Sequence, residues 1–104
     1  MAAYSLSEKA VSDLDGIYEY TILNFGLEQA RAYLLGLHEC FQILADNPGI
    51  GRSAAQLAGE LRRHEYQSHI IFYIPKGQGA LIVRVLHTHM DPKRHFAESD
   101  ENRT

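Results

Sequence analysis

The chain has 104 residues, enough for one domain around a single core and too few for two. Hydrophobic residues make up 45% and charged residues 22%, an ordinary soluble composition, and no apolar run approaches membrane-spanning length. The net charge of −3 argues against a general nucleic-acid binder, so neither direct nucleic-acid contact nor membrane association is expected.

That average conceals a split. Residues 1–47 hold seven acidic and two basic residues, residues 48–96 hold three and seven, and the last eight hold three and one. An anionic partner is therefore expected on the C-terminal half. The N-terminal residues lack an apolar signal core, and the lone Cys40 has no partner for an internal disulfide. Both agree with a cytoplasmic location. Cys40 reads as a small buried helix residue rather than a nucleophile.

In chain order, Ala3–Leu6 reads as a short strand. Ser7 is a good N-cap with Glu8 in the first turn, and Ala10, Leu14, Ile17, Tyr18, Thr21, Ile22 and Phe25 form a helical stripe. Gly26 stops this helix. A second helix follows at once, with Ala30, Tyr33, Leu34, Leu37, Phe41, Leu44 and Ala45 on its apolar face, and ends at Asp46-Asn47-Pro48. So short a connection makes an antiparallel hairpin, and its wide apolar stripes need a sheet to lie on.

Pro48–Arg52 reads as a loop, but not a phosphate loop, because no Gly-Lys-Ser/Thr follows. Leu61–Gln67 alternates and is polar, as in a half-exposed or edge strand, whereas His69–Ile74 is apolar on both faces, as in a central one. Pro75–Gly79 reads as a hairpin loop and Ala80–His87 as the last strand. The fold class is α+β, β-α-α-β-β-β, with an N-terminal strand and the helical hairpin on one face of a mainly antiparallel sheet. Residues 1–96 form the domain, and the acidic tail 97–104 is expected to be disordered.

The most informative stretch is Arg84–Phe96. It leads from an apolar strand through His87-Thr88-His89 to Asp91-Pro92, where the strand must stop, and into the basic Lys93-Arg94-His95-Phe96. Arg84 sits among Ile82, Val83, Val85 and Leu86 and needs a partner there, external or internal, for instance Glu19 or Asp91. Arg62 and Arg63 are adjacent in a strand and point to opposite faces. Each is a candidate anchor for a carboxylate, or a solvated or internally paired arginine. His87 and His89 share a strand face, but with no cysteine near, they read as rim histidines. No metal and no cofactor are expected.

The pieces Tyr4-Ser5-Leu6-Ser7, Asp13-Leu14, Ile17–Thr21, Phe25-Gly26, Gln29-Ala30, Leu44-Ala45, Gly51-Arg52, Leu61-Arg62-Arg63, His69–Tyr73 and Arg84–His87 ahead of Met90-Asp91-Pro92 occur together in this order. In that order they resemble the ParE branch of the RelE/ParE toxin superfamily, from Tyr4 to Phe96. The resemblance implies the toxin of a bacterial type II toxin–antitoxin system. It implies a non-catalytic inhibitor of DNA gyrase, bound and neutralised by the fold-on-binding C-terminal segment of a ParD-like antitoxin. Expected partner-binding residues are Arg62, Arg63, Tyr73, Arg84, His87, Lys93 and Arg94.

Relatives in the superfamily instead cut mRNA on the ribosome, using basic residues on the sheet face and a C-terminal tyrosine. Here Arg63, Arg84 and His95 stand in comparable places, but Phe96 follows His95, and a phenyl ring can neither give nor take a proton. The endonuclease is thus the alternative reading, with a non-toxic antitoxin-binding or repressor-complex subunit as the other.

Overall fold

The computed structural model describes residues 2–101, with side chains through Phe96. In chain order these form β1 (Tyr4–Leu6), α1 (Glu8–Phe25), α2 (Leu27–Asp46), β2 (Arg52–Ser53), β3 (Arg62–Tyr66), β4 (His69–Lys76), β5 (Gly79–His87) and α3 (Pro92–Glu101). The strands make one sheet in the order β1-β5-β4-β3-β2; β1 runs parallel to β5 and every other pair is antiparallel. This is the α+β arrangement that the element order predicts, with the helical hairpin on one face.

Ser7 joins the start of α1 to the sheet. Its extended backbone lets Oγ accept from the Ala10 N–H at 3.0 Å, while the same hydroxyl donates to the Val83 carbonyl at 2.7 Å. The Ser7 N–H donates to the Ile82 carbonyl at 2.9 Å. At the other end Gly26 alone separates α1 from α2. Its φ of 92° and ψ of 166° lie in a region that essentially only glycine visits. From there its N–H closes α1 on the Ile22 carbonyl, and its carbonyl accepts the Ala30 N–H of α2.

The hairpin packs Ala10, Leu14, Ile17, Leu37, Phe41 and Leu44 against Ile71, Tyr73, Ile82 and Val85. The opposite sheet face holds Ile70, Phe72 and Leu86, covered by Ala54, Leu57 and Leu61 and by Phe96 of α3. Ile70 to Tyr73 are all buried, so β4 is the central strand its sequence suggests. Each such side chain stabilises the fold by about 1.5–3 kcal/mol through burial.

Three details depart from the sequence reading. The loop after Pro48 contains a two-residue strand, β2, paired with Arg62 and Arg63, so β3 is an edge only from His64 to Tyr66. Pro75 and Lys76 continue β4, opposite Ala80 and Gly79, which leaves a two-residue turn at Gly77-Gln78. Asp91-Pro92 does more than end a strand: Asp91 Oδ1 accepts the Lys93 N–H at 3.0 Å, and Pro92 opens a helix at the position where its missing N–H is harmless. The expected disorder of 97–104 falls on residues whose side chains lie outside the described set, although the α3 backbone runs to Glu101.

Candidate functional site

β1 ends opposite Ile82, so the rest of β5 has no strand beyond it on that side. Within this stretch Phe72 faces Arg84 and Tyr73 faces Ile82, which makes Val83 an extra residue, a bulge. Helix α1 covers the exposed edge with polar side chains: Ser7 takes the Val83 carbonyl, and Asp13 Oδ2 takes the Val85 N–H at 2.9 Å. Asp13 also binds Arg84 in a two-pronged pair, Nε to Oδ2 at 2.8 Å and Nη2 to Oδ1 at 2.9 Å. Both side chains are only 14% exposed. Arg84 therefore has an internal partner, and the two-pronged pair is with Asp13, which the sequence reading did not name.

Beside this pair lies a groove of about 740 Å³ between α1 and the adjoining ends of β4 and β5. Ile17, Tyr20 and Phe25 line one wall, Val85 and Met90 another, and Tyr33, His69 and His87 the polar end. Tyr20 and Phe25 are 61% and 66% exposed, unusual for aromatic side chains beside an apolar recess. Among the described residues, Asp13 is the one carboxylate in the lining, and no lysine or arginine takes part.

Three histidines extend from this groove to the surface. The half-buried His69 shares a 2.7 Å hydrogen bond between Nδ1 and the Tyr33 hydroxyl, and its ring meets that of His87 edge-on at 5.3 Å. Burial, with the neighbouring His87 adding to it and Asp13 opposing, lowers the His69 pKa to about 4. Burial raises the pKa of the Tyr33 phenol, which keeps its proton. His87 in turn stacks on His89 at 4.9 Å, and His87 Nδ1 accepts the His89 backbone N–H at 3.1 Å. That bond requires an unprotonated Nδ1. Among the described residues, no three His, Cys, Asp or Glu side chains are grouped to hold a metal ion.

The other expected site residues lie elsewhere. Arg62 and Arg63 do take opposite faces. Arg62 turns to the helix side, where Nη2 donates to the Gly51 carbonyl and, at 3.3 Å, to that of Gly49. Arg63 lies over the Phe72 ring at 5.8 Å on the far face, 3.8 Å from Glu65. The Nε of each arginine is buried without a hydrogen-bond partner.

Tyr73, expected among the partner-binding residues, is fully buried, which corrects that assignment. Its hydroxyl donates to the Pro48 carbonyl at 2.7 Å and accepts the Gly51 N–H at 2.8 Å, so it anchors the loop after α2. A side chain at Gly51 would collide with this hydroxyl. Lys93 and Arg94 are exposed and His95 is half-buried, all on α3. Phe96 packs edge-on against Phe72 at 5.2 Å. The three candidate nuclease residues are thus divided: Arg63 is on the far face, and Asp13 of the helical layer holds the Arg84 guanidinium.

Sequence reasoning did not single out Asp13 or His69 for the groove. Only the β4–β5 register, which sets His69 opposite His87, brings the latter into place.

The family model described as ParE toxin of type II toxin-antitoxin system, parDE, matches residues 4–92. Toxin ParE1 of Caulobacter vibrioides is 37% identical over 96 residues, which cover 92% of this chain and 99% of that one. Toxin ParE1 of Mycobacterium tuberculosis is 37% identical over 94 residues, with 89% and 96% covered. Toxin ParE of Escherichia coli is 34% identical over 99 residues, with 94% and 96% covered. A solved chain described as the chromosomal ParDE TA system from P. aeruginosa shares the fold. Its TM-score is 0.71 at 21% identity, over 84% of this chain and 96% of that one.

Proposed function

The chain belongs to the ParE toxin family of type II toxin–antitoxin systems, parDE, and on that premise we propose that it arrests growth by binding DNA gyrase and is neutralised by a ParD-like antitoxin. It acts in the cytoplasm and by protein contact rather than by catalysis. The antitoxin segment that folds on binding seats its apolar side chains in the groove between α1 and the ends of β4 and β5. Basic residues outside the groove, Arg62, Arg63, Lys93 and Arg94, are the proposed contacts for its carboxylates.

The observation that carries the non-catalytic reading is the Asp13–Arg84 pair. Cleavage of RNA needs cations free to meet the charge developing on phosphate. Here the strand arginine already answers a carboxylate with two short bonds. Phe96, in place of a hydroxyl-bearing side chain, packs on Phe72. The groove supports the partner assignment because its volume, and the apolar Ile17, Phe25, Val85 and Met90 set among polar side chains, suit a binding site.

Expression in cells without the neighbouring gene tests this reading. Growth arrest with a DNA-damage response and intact mRNA, relieved by co-expression of that gene, is the expected result. Ribosome-dependent mRNA cuts that His95→Ala abolishes would overturn it in favour of an endonuclease. A folded, expressed protein that leaves growth unaffected would indicate a non-toxic subunit of the complex.

A further inference from the structure

Four exposed large apolar side chains gather at the tip of the helical hairpin. Tyr20, Leu23, Phe25 and Leu27 flank the Gly26 break between α1 and α2, and Leu23 is the most exposed of them, at 77%. The three on α1 span about 8 Å of helix. Exposed apolar residues that stand singly, such as Leu35 and Ile43 along α2, are ordinary, whereas a cluster of this kind marks a contact surface. Leu23 and Leu27 lie outside the groove lining. The break itself is one residue long. The Gly26 N–H donates to the Ile22 carbonyl at 2.9 Å, and the Gly26 carbonyl accepts the Ala30 N–H at 3.1 Å. The tip is therefore presented without a loop that must be ordered on binding, which lowers the cost of docking.

Charge decides what the tip fits. From Tyr20 to Leu27 no residue is charged, and the exposed Glu19 and Glu28 stand on either side. Along both helices together, seven acidic residues face two basic ones. The complement of such a surface is an apolar recess rimmed by lysine or arginine, and an acidic segment is repelled from it. We infer that the hairpin tip is the surface by which the chain holds its target, a protein with an apolar recess and a basic rim, and that it is distinct from the antitoxin's seat. The inference rests on the gyrase reading above and adds the contact surface to it. An enzyme that holds DNA presents lysine and arginine to phosphate, so such a target offers basic rims. Leu23 and Leu27 supply the buried anchors of this contact, and Glu19 and Glu28 its polar edge. Tyr20 and Phe25 belong both to the tip and to the groove wall. A segment seated in the groove thus crowds the approach to the tip, which gives neutralisation a physical basis.

The experiment pairs two readouts on the full chain: the concentration that half-inhibits gyrase-catalysed supercoiling, and the calorimetric Kd for the purified product of the adjacent open reading frame. The double variant Leu23→Gln, Leu27→Gln changes only exposed side chains, and its urea midpoint should match the parent's. It should need at least about tenfold more protein for half-inhibition, while its antitoxin Kd stays within about twofold of the parent's. A second double variant, Glu19→Gln with Glu28→Gln, should inhibit several-fold less well and respond less to added salt. Inhibition by the leucine variant equal to the parent's overturns the inference and leaves the gyrase reading standing. An antitoxin Kd that rises as far as inhibition falls, or rises alone, also overturns it and assigns the tip to the antitoxin. Unchanged inhibition and salt response in the glutamate variant overturns the basic rim. A folded parent that leaves supercoiling untouched contradicts the gyrase reading and the inference with it.

Discussion

Replacing Asp13 by alanine removes a carboxylate that answers three N–H groups at once: Arg84 Nε, Arg84 Nη2 and the backbone of Val85. Breaking a buried ion pair from one side costs about 3–5 kcal/mol. Stranding the Val85 N–H adds to this, whereas the 14% exposure of the pair and its place at a strand edge let the guanidinium swing towards water. A loss of about 3 kcal/mol follows, equivalent to roughly 12–24 °C in Tm for a domain of this size.

Urea denaturation of the parent, Asp13→Ala, Arg84→Ala and the double variant measures the effect and isolates the pair. The two singles should each be destabilised by about 3 kcal/mol, and the double by little more than either. That corresponds to a coupling of about 2–3 kcal/mol. Additive singles of under about 1 kcal/mol each would refute the reasoning, showing that α1 is held to the β5 edge by apolar packing and Ser7 alone.

Tyr73→Phe keeps the core volume but leaves the Gly51 N–H and the Pro48 carbonyl without their shared hydroxyl; the expected cost is about 2 kcal/mol, read from the urea midpoint. It should not change partner affinity at temperatures where the variant is folded. His69 has a folded pKa near 4 against about 6.5 when unfolded, so the unfolded chain binds the proton first. Stability should therefore hold above pH 6.5 and decline as pH falls from 6.5 towards 4, by about 2 kcal/mol once partial exposure is allowed for. Urea midpoints across that range should show the decline in the parent and a shallower one in His69→Gln.

Much of the fold is legible because local rules agree with one another. The stripes of α1 and α2, the single-glycine break at Gly26 and the two-faced apolar run of β4 each dictate one arrangement. The opposed directions of Arg62 and Arg63 follow from strand alternation alone. What escaped the sequence depends on register or on a motif with two meanings. Asp91-Pro92 stops a strand and also starts a helix, and only the second use places Phe96 on Phe72.

That Arg84 needed a partner follows from its apolar neighbours. Its identity as Asp13, 71 residues away, depends on the bulge at Val83 and on how α1 lies along β5. Tyr73 admits two readings from the sequence, a core or edge aromatic and a docking residue; β4 alternation puts it on the same face as Ile71, under the hairpin, and decides for the first. The histidine end of the groove was invisible for a related reason: its histidines come from separate strands, and His69 meets His87 only through the β4–β5 register.

The most direct test of the account is gyrase-catalysed supercoiling of a relaxed plasmid with the purified chain, alone and premixed with the product of the adjacent open reading frame. The account predicts inhibition by the chain alone, relief in the premix, and inhibition undiminished by His95→Ala. Supercoiling unaffected by a folded sample that still arrests cells would contradict it, and would turn attention to translating ribosomes and to Arg63, Arg84 and His95 as catalytic residues.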